Sequence, residues 1–369
     1  MKAWPVVGIF LMQSFLTLAH WFIYHTWIAF WVPLSPTASW GLGISLLALS
    51  MSFMAAALLG FYFTNPLVSL VYKIAAIWLG MLNFFFWAAC LCWLALAGLK
   101  LAGIAPNRPW IACIFFGLAL ATDVYGLLNA RWIRVRRVAV ALAGLPDSWR
   151  GRTALLLSDL HLGNVNGPRF CRRVVAMADS LRPDIIFIPG DLFDGTRADP
   201  DKLAAPLKEL CAPFGVFFTT GNHEEFGSAA HYSDALTRTG FRVLANEKVI
   251  VDGLHILGVP YHDSTFPIRL RATLEQLRPA NGEASILLNH MPSRLPIVEQ
   301  AGVSLQVSGH THGGQLIPFN WFTRRVFGKF TYGLQRFGAL QVYTSSGAGT
   351  WGPPMRVGTH PEMVLLQFE

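Results

Sequence analysis

The sequence predicts a two-part chain, about four membrane-spanning helices followed by a layered α/β domain, and three observations carry that expectation. First, 53% of its 369 residues are apolar, too many for an ordinary soluble protein. Second, residues 1–130 hold only five charged side chains, Lys2, Lys73, Lys100, Arg108 and Asp123, although the whole chain carries 29 basic and 21 acidic ones. Third, from Thr153 onward short apolar runs alternate with amphipathic stretches, the rhythm of strands and helices in a layered domain. The boundary is placed at residue 130, giving a helical membrane anchor over 1–130 and an α/β domain over 131–369.

Within the anchor, Val6 to Val32, Trp40 to Phe63, Ile74 to Leu99 and Trp110 to Asn129 approach or exceed the roughly 20 apolar residues that cross a bilayer. Pro33 and Pro36, Asn65 and Pro66, and the stretch from Pro106 to Pro109 separate them, since proline and turn formers interrupt helical hydrogen bonding. The opening stretch is longer than a signal-peptide core and has further spans behind it, so it reads as retained. Four crossings place the N-terminus and the polar domain on one side, which owns Lys2, Lys73, Arg131, Arg134, Arg136 and Arg137 against Lys100 and Arg108 opposite. The positive-inside rule makes that side cytoplasmic, hence a multi-pass protein of the cell (inner) membrane with a cytoplasmic polar domain. Arg134 to Val140 also alternates like a first strand, and in that role its arginines would report a sheet surface.

Composition excludes other classes. The formal charge of +8 divides into +3 for the anchor and +5 for the polar domain, far from a nucleic-acid-binding excess. Five cysteines without Cys-x-x-Cys spacing give neither a zinc ribbon nor a disulfide framework and are compatible with a reducing compartment. His20, His25 and Asp123 lie in or near spans, where hydrogen-bonded packing is the simpler role. No periodic charged pathway supports a transporter.

In the polar domain, several apolar runs end alike. Ala154 to Ser158 leads into Asp159, Asp184 to Gly190 into Asp191, Val216 to Gly221 into Asn222, Ser285 to Leu288 into Asn289 and His290, and Leu305 to Gly309 into His310. Pro168 to Leu181, Asp201 to Cys211, Ser228 to Thr239, Pro267 to Leu277 and Pro292 to Ala301 have helical spacing and would flank the sheet. Loops at strand ends are where a rigid sheet holds ligands and metals.

The residues delivered there are metal-compatible. Asp159-x-His161 aims a carboxylate and an imidazole at one cation. Gly190-Asp191-x-x-Asp194 adds a second carboxylate able to bridge two ions, with a glycine that lets the chain turn tightly before it. In Gly221-Asn222-His223-Glu224 the Asn amide oxygen is a neutral hard ligand, while His223 can point elsewhere and handle a proton. Gly309-His310-x-His312 places two imidazoles on one side of an extended segment, and His290 supplies another nitrogen. Each motif alone has a bland reading as a cap, a turn or a satisfied core histidine. Five strand ends doing so together do not.

In order and spacing these motifs resemble the signature of calcineurin-like metallophosphoesterases, over about Val138 to Phe368, with Gly313-Gly314-Gln315 and the closing Pro361-Glu362 included. The bacterial YkuE and YaeI-like branch is the most similar. The resemblance implies a four-layer α/β/β/α sandwich. It implies that Asp159, His161, Asp191 and His312 bind one divalent metal, and Asp191, Asn222, His290 and His310 a second, with Asp191 bridging. It further implies that His223 faces the substrate phosphate as a catalytic residue, with Asp194 pairing with it and fixing its orientation. Asn289, before His290, departs from the small residue usual there.

The expected function is therefore hydrolysis of phosphodiester or phosphomonoester bonds by metal-activated hydroxide, with two metal ions acidifying water and clamping phosphate oxygens. The mixed Asp, Asn and His set suits Mn, Fe or Zn better than Mg or Ca. A domain held at a bilayer meets lipid-linked phosphates at high effective concentration, so a lipid-linked ester is a candidate substrate and the bilayer itself a partner; no nucleic acid is expected. Phe319 to Phe330 mixes aromatics with Arg324, Arg325 and Lys329, either as an interfacial segment or with its aromatics in the domain core. The alternative function is a metal-binding regulatory domain on a membrane protein, without turnover.

Overall fold

The computed structural model describes residues 3–31, 34–63, 65–196, 199–226, 229–279 and 282–369; Lys2, Val32, Pro33 and Ser228, named above, lie outside them. The chain divides into two compact units, one formed by Met1–Leu128 with Gly352–Met355 and the other by Asn129–Trp351 with Arg356–Glu369.

In the first unit, α1 (Ala3–Phe30), α2 (Pro36–Tyr62), α3 (Pro66–Leu101) and α4 (Arg108–Asn129) are all long and apolar enough to cross a bilayer, the mark of a membrane protein. All four begin before the apolar runs do, α2 and α3 by the most. Ser35 Oγ accepts the Ala38 N–H at 3.2 Å, and Asn65 Oδ1 accepts the Val68 N–H at 3.0 Å. Pro36 and Pro66, read as interruptions, instead open the helices directly after these caps, where a missing N–H costs nothing. Leu16, Ala19, Ile23 and Phe30 of α1 pack with Leu82, Ala89 and Cys92 of α3 and Ala112 and Phe116 of α4.

The second unit runs β1 (Arg134–Val140), β2 (Thr153–Leu156), α5 (Pro168–Ser180), β3 (Ile185–Ile188), α6 (Pro200–Ala204), β4 (Val216–Phe218), α7 (Asn222–Phe226), α8 (Ala229–Arg238), β5 (Arg242–Val243), β6 (Glu247–Val251), β7 (Leu254–Gly258), α9 (Tyr261–Thr265), α10 (Pro267–Leu277), β8 (Ser285–Leu288), α11 (Leu295–Gln300), β9 (Leu305–Ser308), α12 (Phe319–Phe327), β10 (Gly333–Phe337), β11 (Leu340–Thr344) and β12 (Glu362–Phe368). Its strands form two six-stranded sheets, in the orders β1-β12-β2-β3-β4-β5 and β10-β11-β9-β8-β7-β6.

Burial fixes the layers. Ile185 and Phe187 of β3 join Ala154 and Leu156 of β2, Ile286 and Leu288 of β8, and Leu305 and Val307 of β9 in the core between the sheets. The alternate residues Leu155, Ile186 and Ile188 pack outward on Cys171, Val174, Val175 and Ala178 of α5 and on Tyr232 and Leu236 of α8. On the far side, Leu257, Leu287 and Val342 pack on Leu270 and Leu274 of α10 and on Ile297 and Val298 of α11. The result is a four-layer α/β/β/α sandwich, in which β2, β3, β4 and β8, largely buried on both faces, read as apolar runs.

Strands β2, β3 and β4 are mutually parallel in one sheet, and β8 and β9 are parallel in the other. Parallel neighbours present their C-terminal ends at the same edge, so the residues that follow them gather there.

Candidate metal centre

After β2, β3 and β9 the chain leaves ordinary backbone geometry. Among the described residues, ten non-glycine positions have positive φ, and five of them are Asp159, His161, Asp191, His310 and His312. Side chains rarely adopt this left-handed region, and such strain concentrates at functional sites. Two glycines allow the approach. A Cβ on Gly190 (φ 112°) would stand 2.5 Å from the Gly221 backbone nitrogen and 2.9 Å from His290 Nδ1, and one on Gly309 would overlap the side chains of Asp159 and Ser158.

The side chains delivered this way meet in three groups, the first two sharing His161: Asp159, His161 and His312; His161, Asp194 and His223; and Asp191, His290 and His310. In the first, His161 Nε2 lies 3.0 Å from His312 Nε2, and His312 Nε2 lies 3.4 Å from Asp159 Oδ1. In the third, His290 Nε2 is 3.1 Å from Asp191 Oδ2. Asn222 joins it through an Oδ1 that stands 2.9 Å from His310 Nδ1. Asp191 connects the two groups, since its Oδ2 is also 3.8 Å from His161 Nε2.

Hydrogen bonds pin the backbone around these groups. Asp159 accepts the His310 N–H at 3.0 Å, and Asp191 accepts the His223 N–H at 2.9 Å. His290 Nδ1 faces the Pro189 carbonyl at 3.0 Å, so Nδ1 donates and Nε2 is left facing Asp191, where it needs a proton or a metal.

The site fits a divalent cation. The lone pair of His290 Nε2 facing a carboxylate is repulsive unless a proton or a metal stands between them, and that buried atom has no other hydrogen-bond partner. Burial alone would raise the Asp191 carboxyl, but His290 holds it well below the usual carboxylate range. Against burial, Asp191 in turn lifts His290 to about 9. Burial, reinforced by His290, drives His310 down to about 3. A cluster in which some imidazoles must stay neutral beside buried carboxylates is one a bound cation neutralises, and donors of this N and O mixture bind transition metals.

His223 stands apart from the nearest ligands. Its Nδ1 meets the backbone carbonyl of Asp194 at 3.1 Å, whereas the Asp194 carboxylate is 3.9 Å from that nitrogen and 3.6 Å from His161 Nδ1. The hydrogen bond to His223 comes from the Asp194 main chain, while the Asp194 carboxylate stands farther off and leans toward His161.

Two residues went unassigned in the sequence. Glu224, fully buried, accepts the N–H groups of Gly221 (2.7 Å), Phe193 (2.9 Å) and Asp191 (3.0 Å), tying the loops after β3 and β4 together. Burial, and then Asp191, push its carboxyl up to about 7. Arg356, also fully buried, donates to the carbonyls of His312 (3.0 Å), Ser346 (2.7 Å) and Gly349 (2.6 Å). Glu224 was visible as the end of a motif, but its role depends on backbone donors that no spacing reveals; Arg356 carried no signal.

A family model described as calcineurin-like phosphoesterase matches residues 153–314. An uncharacterized metallophosphoesterase of Aquifex aeolicus is 31% identical over 258 residues, covering 68% of this chain and 98% of that protein. The uncharacterized metallophosphoesterase YkuE of Bacillus subtilis is 30% identical over 243 residues, covering 61% of this chain and 82% of its own length. A transmembrane protein with metallophosphoesterase domain from Danio rerio is 30% identical over 259 residues, or 66% of this chain; the chain spans only 59% of that relative's length.

Proposed function

The chain belongs to the calcineurin-like metallophosphoesterases, and from that premise we propose that it is a membrane-anchored, two-metal phosphoesterase. The observation that carries this reading is the position of Asp191, whose Oδ2 lies 3.1 Å from His290 on one side and 3.8 Å from His161 on the other. A carboxylate shared by two His/Asp groups is the arrangement that a cation pair requires.

In this reading Asp159, His161, Asp191 and His312 hold one ion and Asp191, Asn222, His290 and His310 the other, with Mn, Fe or Zn the metals that suit the donors. Bound there, the pair would supply acidification of water and neutralisation of phosphoryl charge. The chain's own residues do the rest. Backbone strain and the Glu224 clamp hold the ligands in place before substrate arrives, so their ordering costs nothing during the reaction. His223, with Nδ1 committed to the Asp194 carbonyl, turns Nε2 toward Asp191 at 4.0 Å. Burial works against the charged ring, so the acid is the imidazolium form, which holds a proton on Nε2 and gives it to the leaving oxygen as its bond to phosphorus breaks and water's oxygen takes its place.

Loss of His223 then removes proton transfer and leaves the ligands intact. His223→Ala should keep its metal and lose about 10²–10⁴ in turnover of an aryl phosphodiester, whereas Asp191→Asn should lose metal and activity together. Metal analysis beside hydrolysis decides it, and a metal-loaded His223→Ala protein with full turnover would reject the acid role. A metal-replete native chain inert toward phosphate esters would favour the regulatory alternative.

A further inference from the structure

The segment after His312 carries an apolar surface that the metal centre does not use. Helix α12 buries none of its side chains, and Phe319, Trp321, Phe322 and Val326 are 51%, 77%, 63% and 74% exposed. Phe319, Phe322 and Val326 follow the i, i+3, i+7 spacing of one helix face. Of the aromatics here, Phe330 alone packs on the domain core, so among the described residues the outer stripe is left uncovered. Arg324, Arg325 and Lys329 lie in the same stretch, residues 317–332 contain no acidic residue, and none of the three cations makes an ion pair among the described residues.

This apolar surface continues to the mouth of the site. Phe226 and Trp351, 64% and 56% exposed, stand with ring centroids 4.9 and 6.1 Å from His223. Phe327 packs its ring 6.0 Å from His310. Gln315 binds the two sides of the mouth together, its amide donating to the Trp351 carbonyl at 2.9 Å and accepting the Trp351 N–H at 3.0 Å.

We propose that α12 seats the catalytic domain on an anionic lipid bilayer, so that the phosphate ester it takes is carried by an amphiphile lying in that bilayer; the substrate half of this rests on the phosphoesterase reading above. Exposed aromatics flanked by unpaired cations, with no acid among them, match lipid headgroups and acyl chains together, because arginine and lysine stems snorkel to phosphates while rings enter the interface. The bilayer is within reach of the chain, since only four residues separate the end of α4 from β1. A lipid carrying the ester would pass its apolar part over Phe226, Trp351 and Phe327 with its phosphate at the histidines.

The test places a photo-crosslinking p-benzoylphenylalanine at position 321, 326 or 268 of the full chain, reconstituted in phosphatidylcholine vesicles with and without labelled phosphatidylglycerol. Ile268 is the control, 85% exposed on α10, where Arg269 pairs with Asp263 at 3.2 Å and Arg271 bonds Gln300 at 3.1 Å. Irradiation should transfer lipid to positions 321 and 326 and not to 268, and Arg324→Gln with Arg325→Gln should reduce the transfer about fivefold per charge removed. Equal labelling at 268, or adducts only with protein, overturns the proposal. In parallel, Trp321→Ser with Phe322→Ser and Val326→Ser should keep metal content and turnover of a soluble aryl phosphodiester within about twofold while lowering kcat/KM at least about tenfold for a vesicle-borne ester with the same leaving group. Equal effects on both esters overturn the substrate half. If the native chain hydrolyses neither ester, the phosphoesterase reading fails, and the crosslinks still decide the docking.

Discussion

At the scale of single residues, the legible part of the site was the side chains able to hold a cation, and the hidden part was what holds those side chains in place. Asp159, Asp191, Asn222, His290 and His310 announced themselves because each follows an apolar run, and strand ends are where a sheet presents polar groups. The left-handed backbone at Asp159, His161, Asp191, His310 and His312 was not legible, although Asp and His tolerate it better than most. Nor was the division of labour at Asp194, whose carbonyl and carboxylate serve different histidines. Glu224 offers the clearest residue-scale test. Its two oxygens take three backbone N–H groups, and Glu224→Gln would leave one oxygen for them and point an NH₂ at a donor. The expected cost is about 1–3 kcal/mol, read as a lower melting temperature of the metal-free protein. Because the loops after β3 and β4 carry Asp191 and Asn222, metal content should fall as well; an unchanged content at saturating metal would show that the clamp serves stability alone.

At the scale of elements, what the sequence displayed depended on burial. Strands β2, β3, β4 and β8 are largely buried on both faces and show as apolar runs, whereas the equally buried β9 carries Gln306 and Ser308. The hairpins β6–β7 and β10–β11 are edge elements whose outer strands, Glu247–Val251 and Gly333–Phe337, are half-buried and mixed in composition, so they carry no comparable signal. The C-terminal strand β12 was legible only as the motif residues Pro361-Glu362. It lies between β1 and β2, parallel to the first and antiparallel to the second, and Glu362 there accepts the Tyr332 hydroxyl at 2.7 Å and the Ser346 N–H at 3.1 Å. A three-residue turn is too short for any period, yet the turn Asp147–Trp149 supplies Trp149, the largest fully buried side chain. Its ring stands 5.0 Å from Phe214 and 5.8 Å from Phe368, and its Nε1 donates to the Val251 carbonyl at 3.1 Å. Trp149→Ala should therefore destabilise the domain by about 3–5 kcal/mol, while the molecules that remain folded keep native turnover per bound metal. Denaturant unfolding followed beside active-site titration separates the two, and a loss of turnover at full metal occupancy would mean that this end of the sandwich communicates with the centre.

At the scale of the whole molecule, the side of the membrane on which the α/β domain works rests on fewer charges than the raw sequence suggests. Arg134, Arg136 and Arg137 belong to β1, where Arg136 donates to the Tyr332 hydroxyl at 2.8 Å. They are spent on a sheet and do not report which loops were retained during insertion. What remains is Lys2, Lys73 and Arg131 on the side of the domain against Lys100 and Arg108 on the other, a margin of one charge. We propose a cytoplasmic domain on that margin together with the cysteine pattern, since five thiols without a disulfide framework suit a reducing compartment. Cys211 provides the test, being exposed on the α/β unit, whereas Cys171 is buried and Cys90, Cys92 and Cys113 belong to the apolar helices. In intact spheroplasts, a membrane-impermeant maleimide should leave Cys211 unmodified. After disruption it should label the native chain and spare Cys211→Ser. Labelling of Cys211 before disruption would reverse the orientation, and with it the leaflet from which an amphiphilic substrate reaches His223.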